Sequence, residues 1–407
     1  MRRSTLLIPL IVSVLAACGP GGGGGGVTGC NISGSISSTV TLDPAVCSPY
    51  RVTGDVTVDD SGRLDLKPGT TIEFAQDTGL YVQGHGALVA VGTASNKILF
   101  TGAAHTRGYW KGIVFEQDAN SFNNELKYVE IEYAGADQRW DGGAYGNYKA
   151  ALDLQSRARL KIAYSLIRES AGSGVFLDDD AIIGSDDVRD GDFAHNTITQ
   201  NASYPVITYA NEVGFLDASN DFSGNDAGYN YVRFSGGYAY IQTQTWQNLN
   251  VPYRVKDQPG VGDDQVLSIA PGSILKFEQD AGLEAYGNHS AIKAIGTPAS
   301  VITFTGMEHN KGYWAGLLFN DTDNANNVLR HVVVEYGGND DGFLDSDALG
   351  NVVVSSSGSG SHQVITVDHA VIRHSGHWGI SVAHETSDTI SNVTYADNTN
   401  GNYQKRP

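Results

Sequence analysis

Residues 68–133 constrain this chain more than any other stretch, because residues 271–336 repeat them. Pro68-Gly69 returns as Pro271-Gly272, and Phe100-Thr101-Gly102 returns as Phe304-Thr305-Gly306. Gly108-Tyr109-Trp110 returns as Gly312-Tyr313-Trp314, and Glu132-Tyr133 as Glu335-Tyr336. The offset stays at 203 or 204 residues from start to finish, so the copies arose by duplication. An architecture that accepts a tandem copy of itself is one that grows by stacking similar units.

Inside each copy runs a finer rhythm. Ile72/Phe74, Leu80/Val82, Leu88/Val91, Ile98/Phe100, Ile113/Phe115 and Val129/Ile131 are short apolar pairs separated by Gly, Asn, Asp and Thr. Apolar residues two apart, as in five of these six pairs, broken by turn formers, specify short strands with one buried face. No helical period comes between successive strands, which disfavours a βαβ sheet. The expectation is an all-β solenoid whose coils each bury one side of their strands. The phrases Pro-Gly-Thr-Thr-Ile-Glu-Phe (68–74), Ile-Leu-Phe-Thr-Gly (98–102) and Gly-Tyr-Trp-Lys-Gly-Ile-Val-Phe (108–115) resemble those of the right-handed parallel β-helix, or pectin-lyase-like, family, in particular its bacterial surface members. The resemblance covers roughly residues 50–400 and implies a single right-handed parallel β-helix. With about 20 to 25 residues per coil, roughly 14 to 16 coils are expected.

The N-terminus gives an address. Arg2-Arg3 precede an apolar run, Leu6 to Leu15, too short to anchor stably across a bilayer but suited to a signal peptide. It ends Leu15-Ala16-Ala17-Cys18, which looks like a bacterial lipobox and implies cleavage after residue 17 and lipidation of Cys18. Gly19 stands where an inner-membrane retention Asp would sit, so the expected location is the outer membrane, at the cell surface or the periplasmic face. Residues 18–29 read as a flexible Gly-rich tether. Cys30 and Cys47, a lone pair in an exported chain, are expected to form a disulfide across an N-terminal cap at 30–48. The first β-helix unit is then 49–251 and the second, a truncated copy continuous with it, 252–407. Pro252-Tyr253-Arg254-Val255 restarts the pattern of Pro49-Tyr50-Arg51-Val52.

Loops on a rigid scaffold carry function, and three regions interrupt the coils. Residues 135–149 carry Trp140, Tyr145 and Tyr148 in a polar, Gly-rich setting, where exposed rings would stack on a ligand; the counterpart at 337–350 is acidic, with Asp340, Asp341, Asp345 and Asp347. Residues 178–192 are rich in Asp, and Asp178, Asp180, Asp187, Asp190 and Asp192 would supply the oxygen ligands that Ca²⁺ prefers. A solvated acidic loop is the plainer reading. Residues 229–246 are dense in aromatics. The Trp residues of the two Gly-Tyr-Trp turns are expected to pack, since a large aromatic beside a strand is usually core.

The family resemblance also implies two kinds of chemistry. A lyase needs a base beside a cation that neutralises a uronate; Arg168, repeated as Arg373, is the expected base, with Asp178, Asp180 or Asp187 holding Ca²⁺. The alternative is that an Arg repeated on equivalent strands pairs with a neighbouring carboxylate. A polygalacturonase pattern is partly matched by Asp59-Asp60, Gly84-His85-Gly86 and Arg159-Leu160-Lys161, but its first motif is missing. The formal net charge of −19 argues against nucleic acid and anionic lipid as partners, and more weakly against polyanionic sugars unless a cation bridges them. The expected role is a non-catalytic lipoprotein scaffold that binds a polysaccharide or a surface protein. A calcium-dependent polysaccharide lyase or other polysaccharide-degrading enzyme is the alternative, and a protein-binding adhesin a third.

Overall fold

The computed structural model describes residues 26–141, 143–184, 192–237, 239–339, 348–356 and 362–406. Alternation decides what each strand buries. In Thr71–Phe74, Ile72 and Phe74 are buried while Thr71 and Glu73 reach outward. Strands of this kind stack in parallel, in register, around a long thin core. On the first face of the early coils Tyr50, Ile72, Phe100, Ile131, Ile167 and Ile198 sit on successive rungs. In the later coils Tyr253, Leu275, Phe304, Val334, Ile372 and Tyr395 do the same. The chain is an all-β parallel β-helix solenoid, as the repeat implies.

Many corners between faces turn on one non-glycine residue in the left-handed region. Tyr128, Tyr164 and His195 occupy one such corner with φ of 50°, 55° and 57°. That conformation costs roughly 1–2 kcal/mol for an L-residue. The rings offset part of this cost by stacking between rungs, Tyr128 on Tyr164 at 5.0 Å and Tyr164 on His195 at 4.6 Å. Asparagines inside other corners satisfy backbone groups that the strands leave over: Asn124 accepts from the Leu88 N–H at 2.9 Å, and Asn327, its duplicate, from Ile292 at 3.1 Å.

At the N-terminal end Gly26–Thr28 pairs antiparallel with Asn31–Ile36 and so covers an edge that would otherwise present unpaired groups. The Cys30–Cys47 disulfide closes this region, as the lone pair suggested.

The two units meet with a twist in register that the offset does not reveal. In unit 1 the second strand of each coil (Gly79–Val82, Gly112–Phe115, Ala150–Leu154, Ser173–Leu177, Val206–Tyr209) forms one ladder. That ladder continues through Val232–Ser235 into Tyr253–Val255 and Ile274–Phe277, the duplicates of first-face strands. Unit 2 is therefore turned by one face relative to unit 1. Residues that occupy separate faces within either copy share a column across this seam.

Candidate functional site

The coils of unit 1 that lead up to the seam build the site. On the outside of the shared ladder, Phe176, Ile207 and Tyr209 form an apolar patch with Tyr148, Ala150 and Tyr204, separate from the solenoid core. The described residues of 135–149 fold down over it. A short hairpin, Arg139–Trp140 against Asn147–Tyr148, shapes the loop. Asp141 holds its turn, accepting from the N–H groups of Gly143 and Tyr145 at 2.9 Å each and from the Tyr209 hydroxyl at 2.9 Å. The Tyr145 hydroxyl donates to the Thr208 carbonyl, and Lys256 donates to the Ala144 carbonyl at 2.9 Å. At the loop's return, a Cβ on Gly172 would lie 2.2 Å from the Lys149 carbonyl, so only glycine lets the two backbones pass.

Beneath the loop lies a buried polar network. Asp153 accepts from the Tyr148 hydroxyl at 2.8 Å, and Arg139 reaches Asp153 at 3.2 Å and Glu116 at 3.0 Å. Burial pushes the Asp153 carboxyl up to about 7, against the pull of Arg139.

Between the loop and the next coils opens a groove of about 490 Å³, lined by Gln138, Asn147, Lys149, Ser203, Tyr204, Tyr229 and Arg233, among others. Its volume suits a ligand of a few rings. Tyr204 and Tyr229 meet edge to face at 4.9 Å. The Arg233 guanidinium lies between Tyr145 and Tyr204, 5.3 and 5.4 Å from their centroids. Glu278 fixes it from behind with two contacts, 2.9 and 3.3 Å. Burial works against the Glu278 charge, yet the Arg233 and Arg254 guanidiniums hold the carboxyl below its usual range. Burial raises the hydroxyls of Tyr145 and Tyr204, which stay protonated donors at neutral pH. No carboxylate lines this groove among the described residues.

The three loop aromatics therefore have different positions. Trp140 is 66% exposed at the hairpin tip, with its ring against Gly146. Tyr145 is half-buried and forms one wall. Tyr148 corrects the expectation of exposure: it is 6% exposed, stacked on Phe176 at 3.8 Å, and its hydroxyl serves Asp153. The physical reason lies one coil further on, where Phe176 offers the ring an apolar face to stack on.

Arg168 stands on the first face, bound to Glu132 at 2.8 Å, and Arg373 repeats this with Glu335 at 2.6 Å. Thr101 and Thr305 donate to the other oxygen of the same glutamates, at 3.0 and 3.1 Å. The pairing matches the plainer of the two readings of a repeated Arg. Asp178 directly follows the second-face strand Ser173–Leu177, whereas Arg168 stands on the first face. Its carboxylate accepts from the N–H groups of Asp179 and Ser156. Asp180 occupies a left-handed corner, and its N–H donates to Glu212. The Asp192 carbonyl accepts from Ile162 at 2.7 Å. Among the described residues no three His, Cys, Asp or Glu side chains gather as metal ligands. Asp187, Asp190, Cys18 and the acidic run from Asp340 to Asp347 lie outside the described residues.

Both Gly-Tyr-Trp tryptophans pack. Trp110 and Trp314 are fully buried, stacked on Phe74 at 3.9 Å and on Phe277 at 4.0 Å. Gly84-His85-Gly86 is a tight corner: a Cβ on Gly86 would lie 2.5 Å from the Val58 carbonyl, and Asp60 accepts from the His85 N–H. Lys149, Tyr204, Tyr229 and Arg233 are the groove residues that sequence reasoning left unassigned. The aromatic density of residues 229–246 was the one signal pointing to any of them.

Residues 34–144 match a family described as a pectate-lyase-like β-helix domain. Over 62 residues the chain is 40% identical to Protein bark beetle of Drosophila melanogaster. That similarity covers 15% of this chain and spans only 2% of the length of the relative. The match at residues 34–144 and the parallel ladders fit a parallel β-helix repeat family.

Proposed function

We propose that this protein is an exported, lipid-anchored β-helix scaffold that binds glycan without cleaving it, in the groove under the 135–149 loop of its first unit. The observation that carries the reading is the groove itself, which sets tyrosine rings beside fixed hydrogen-bond donors on a rigid sheet. Sugar rings present apolar C–H faces and equatorial hydroxyls, and a wall of aromatics with Gln138, Asn147, Lys149 and Ser203 between them answers both. Trp140, exposed at the tip of the covering hairpin, extends that surface. The anchor at Cys18 and the Gly-rich tether would hold the solenoid at a membrane while leaving this face free.

The rival is a polysaccharide lyase, favoured by the family description of residues 34–144. One assay separates the two. The chain is incubated with a panel of acidic and neutral polysaccharides, with Ca²⁺ and with chelator, and product size, ultraviolet absorbance from new double bonds and retention are followed. Retention with intact polymer is the expected result. Calcium-dependent shortening with rising absorbance would replace the scaffold reading with a lyase, and retention by no polymer would remove glycan as the partner.

A further inference from the structure

The corner that stacks Tyr128 on Tyr164 in the first unit carries histidines in the second. His331 precedes the strand Val332–Glu335 as Tyr128 precedes Val129–Glu132, and His369 stands before Val371–Arg373 as Tyr164 stands before Leu166–Arg168. Both histidines keep the left-handed turn, with φ of 49° and 50°. Their backbones are tied to the next rung: the His331 N–H donates to the Asp368 carbonyl and the His369 N–H to the Ser391 carbonyl, at 3.2 Å each. Neighbouring rungs lie ~4.8 Å apart, and the two imidazole centroids are 4.9 Å apart.

The rings do not sit as the tyrosines do. Tyr128 and Tyr164 lie within 22° of parallel, and Tyr164 and His195 within 18°, whereas His331 and His369 are 43° apart. The second copy thus gives up part of the flat contact that the first copy uses to hold this corner. Its polar partners differ as well. Nδ1 of His369 lies 2.9 Å from the Asp368 carboxylate. Asp368 is fixed in turn by Arg330 at 3.2 Å, by the Ser391 hydroxyl at 2.8 Å and by Asn392 at 3.0 Å. A carboxylate at Nδ1 holds that ring's proton there and leaves the Nε2 lone pair free. The His331 ring makes no hydrogen bond or ion pair among the described residues.

We infer that His331 and His369 form a two-histidine site for a borderline divalent cation, Zn²⁺, Cu²⁺ or Ni²⁺, with water completing the coordination. Imidazole nitrogen suits these ions, while Ca²⁺ takes oxygen. A metal about 2.1 Å from each nitrogen spans at most about 4.2 Å between them, which rings centred 4.9 Å apart reach by turning. His369 has room to turn, with 52% of its side chain exposed. Asp368 orients that ring and makes its free nitrogen a better donor. Arg330, the neighbouring cation, is paired with the same carboxylate, and the net charge of −19 draws cations towards the chain. Two protein ligands leave the ion exchangeable. The site uses nothing from the groove under the 135–149 loop, so it stands whether or not glycan binds there.

The test titrates the full chain separately with Cu²⁺, Zn²⁺ and Ca²⁺ by calorimetry, as the native protein and as His331→Tyr with His369→Tyr. That double substitution installs the pair the first unit already carries at this corner, so the fold has a precedent for it. His369→Gln is the milder variant, and circular dichroism checks the folding of each. The native chain should take one more equivalent of Cu²⁺ and of Zn²⁺ than either variant, with Cu²⁺ the tighter, and Ca²⁺ should not tell them apart. Asp368→Asn should weaken Zn²⁺ at this site by about ten-fold or more without changing the stoichiometry. His384→Ala, at an exposed histidine elsewhere, should leave both unchanged. Equal stoichiometry in the native chain and the folded variants would overturn the inference. So would an equal loss from His384→Ala, or Ca²⁺ displacing Zn²⁺ at similar concentration.

Discussion

Replacing Trp314 with alanine separates packing from ligand stacking at the Gly-Tyr-Trp turns. The indole is fully buried, lies on Phe277 at 4.0 Å with the planes 9° apart, and donates from Nε1 to the Glu335 carbonyl at 2.8 Å. A tryptophan buries about 150–250 Å², worth roughly 4–6 kcal/mol at ~25 cal/mol per Å² as an upper bound. Residual structure in the unfolded chain lowers that figure, and aromatic-to-alanine changes in cores typically cost about 3–5 kcal/mol. About 4 kcal/mol is therefore expected for Trp314→Ala. Trp314→Phe keeps the stack but leaves the Glu335 carbonyl without its donor, at about 1–2 kcal/mol. Urea unfolding followed by circular dichroism reads both as a lowered midpoint, and Trp110→Ala should behave alike. A loss below about 1 kcal/mol for either alanine variant, joined to lost polysaccharide retention, would refute the packing account and make these rings ligand platforms.

Three further outcomes are expected. Asp153 is raised to about 7 in the folded state, so folding takes up a proton there and stability should fall as pH rises from about 4 towards 7, by up to ~1.4 kcal/mol per pH unit. Asp153→Asn should reduce that slope in urea titrations, most visibly between about pH 6 and 7, leaving the part due to Asp178 and Glu284, both raised to about 6 by burial. Cys47→Ser opens a loop with a sequence separation of 17 and should cost about 3 kcal/mol, read as a lowered unfolding midpoint under non-reducing conditions. Arg168→Ala leaves Glu132, whose side chain is 6% exposed, without its cation; a loss of roughly 2–4 kcal/mol in the same urea assay is expected, with polysaccharide retention unchanged.

The coils were legible because their signal is local. Ile72 and Phe74, two apart between turn formers, state a strand and its buried side, and the second copy states it again as Leu275 and Phe277. The corners were less legible. Tyr128, Tyr164 and His195 have no strong turn preference, and what keeps them left-handed is a stack between residues more than thirty positions apart. The site was the least legible. An offset of 203 residues aligns Arg254 with Arg51 but does not say that unit 2 is turned by one face, and that turn is what sets Arg254 beside Arg233. Tyr145 reads from the sequence as a loop aromatic, while its partners Tyr209 and Arg233 lie two and three coils further on. Tyr148 was misread because a polar, Gly-rich context suggests exposure, and the apolar patch it covers is built from Phe176 and Tyr204, distant in sequence.

The most direct test of the account is equilibrium binding of the full chain to a polysaccharide panel, with polymer length measured in the same samples, for the native protein and for Tyr204→Ala with Tyr229→Ala. These two rings stand at the groove wall, outside the solenoid core. The account predicts retention of at least one polymer at unchanged length, weakened about ten-fold or more by the double substitution, in line with ~1–3 kcal/mol for a lost aromatic contact. Retention that the double substitution leaves intact would place the ligand elsewhere on the solenoid, and a polymer that shortens on contact would contradict the scaffold role itself.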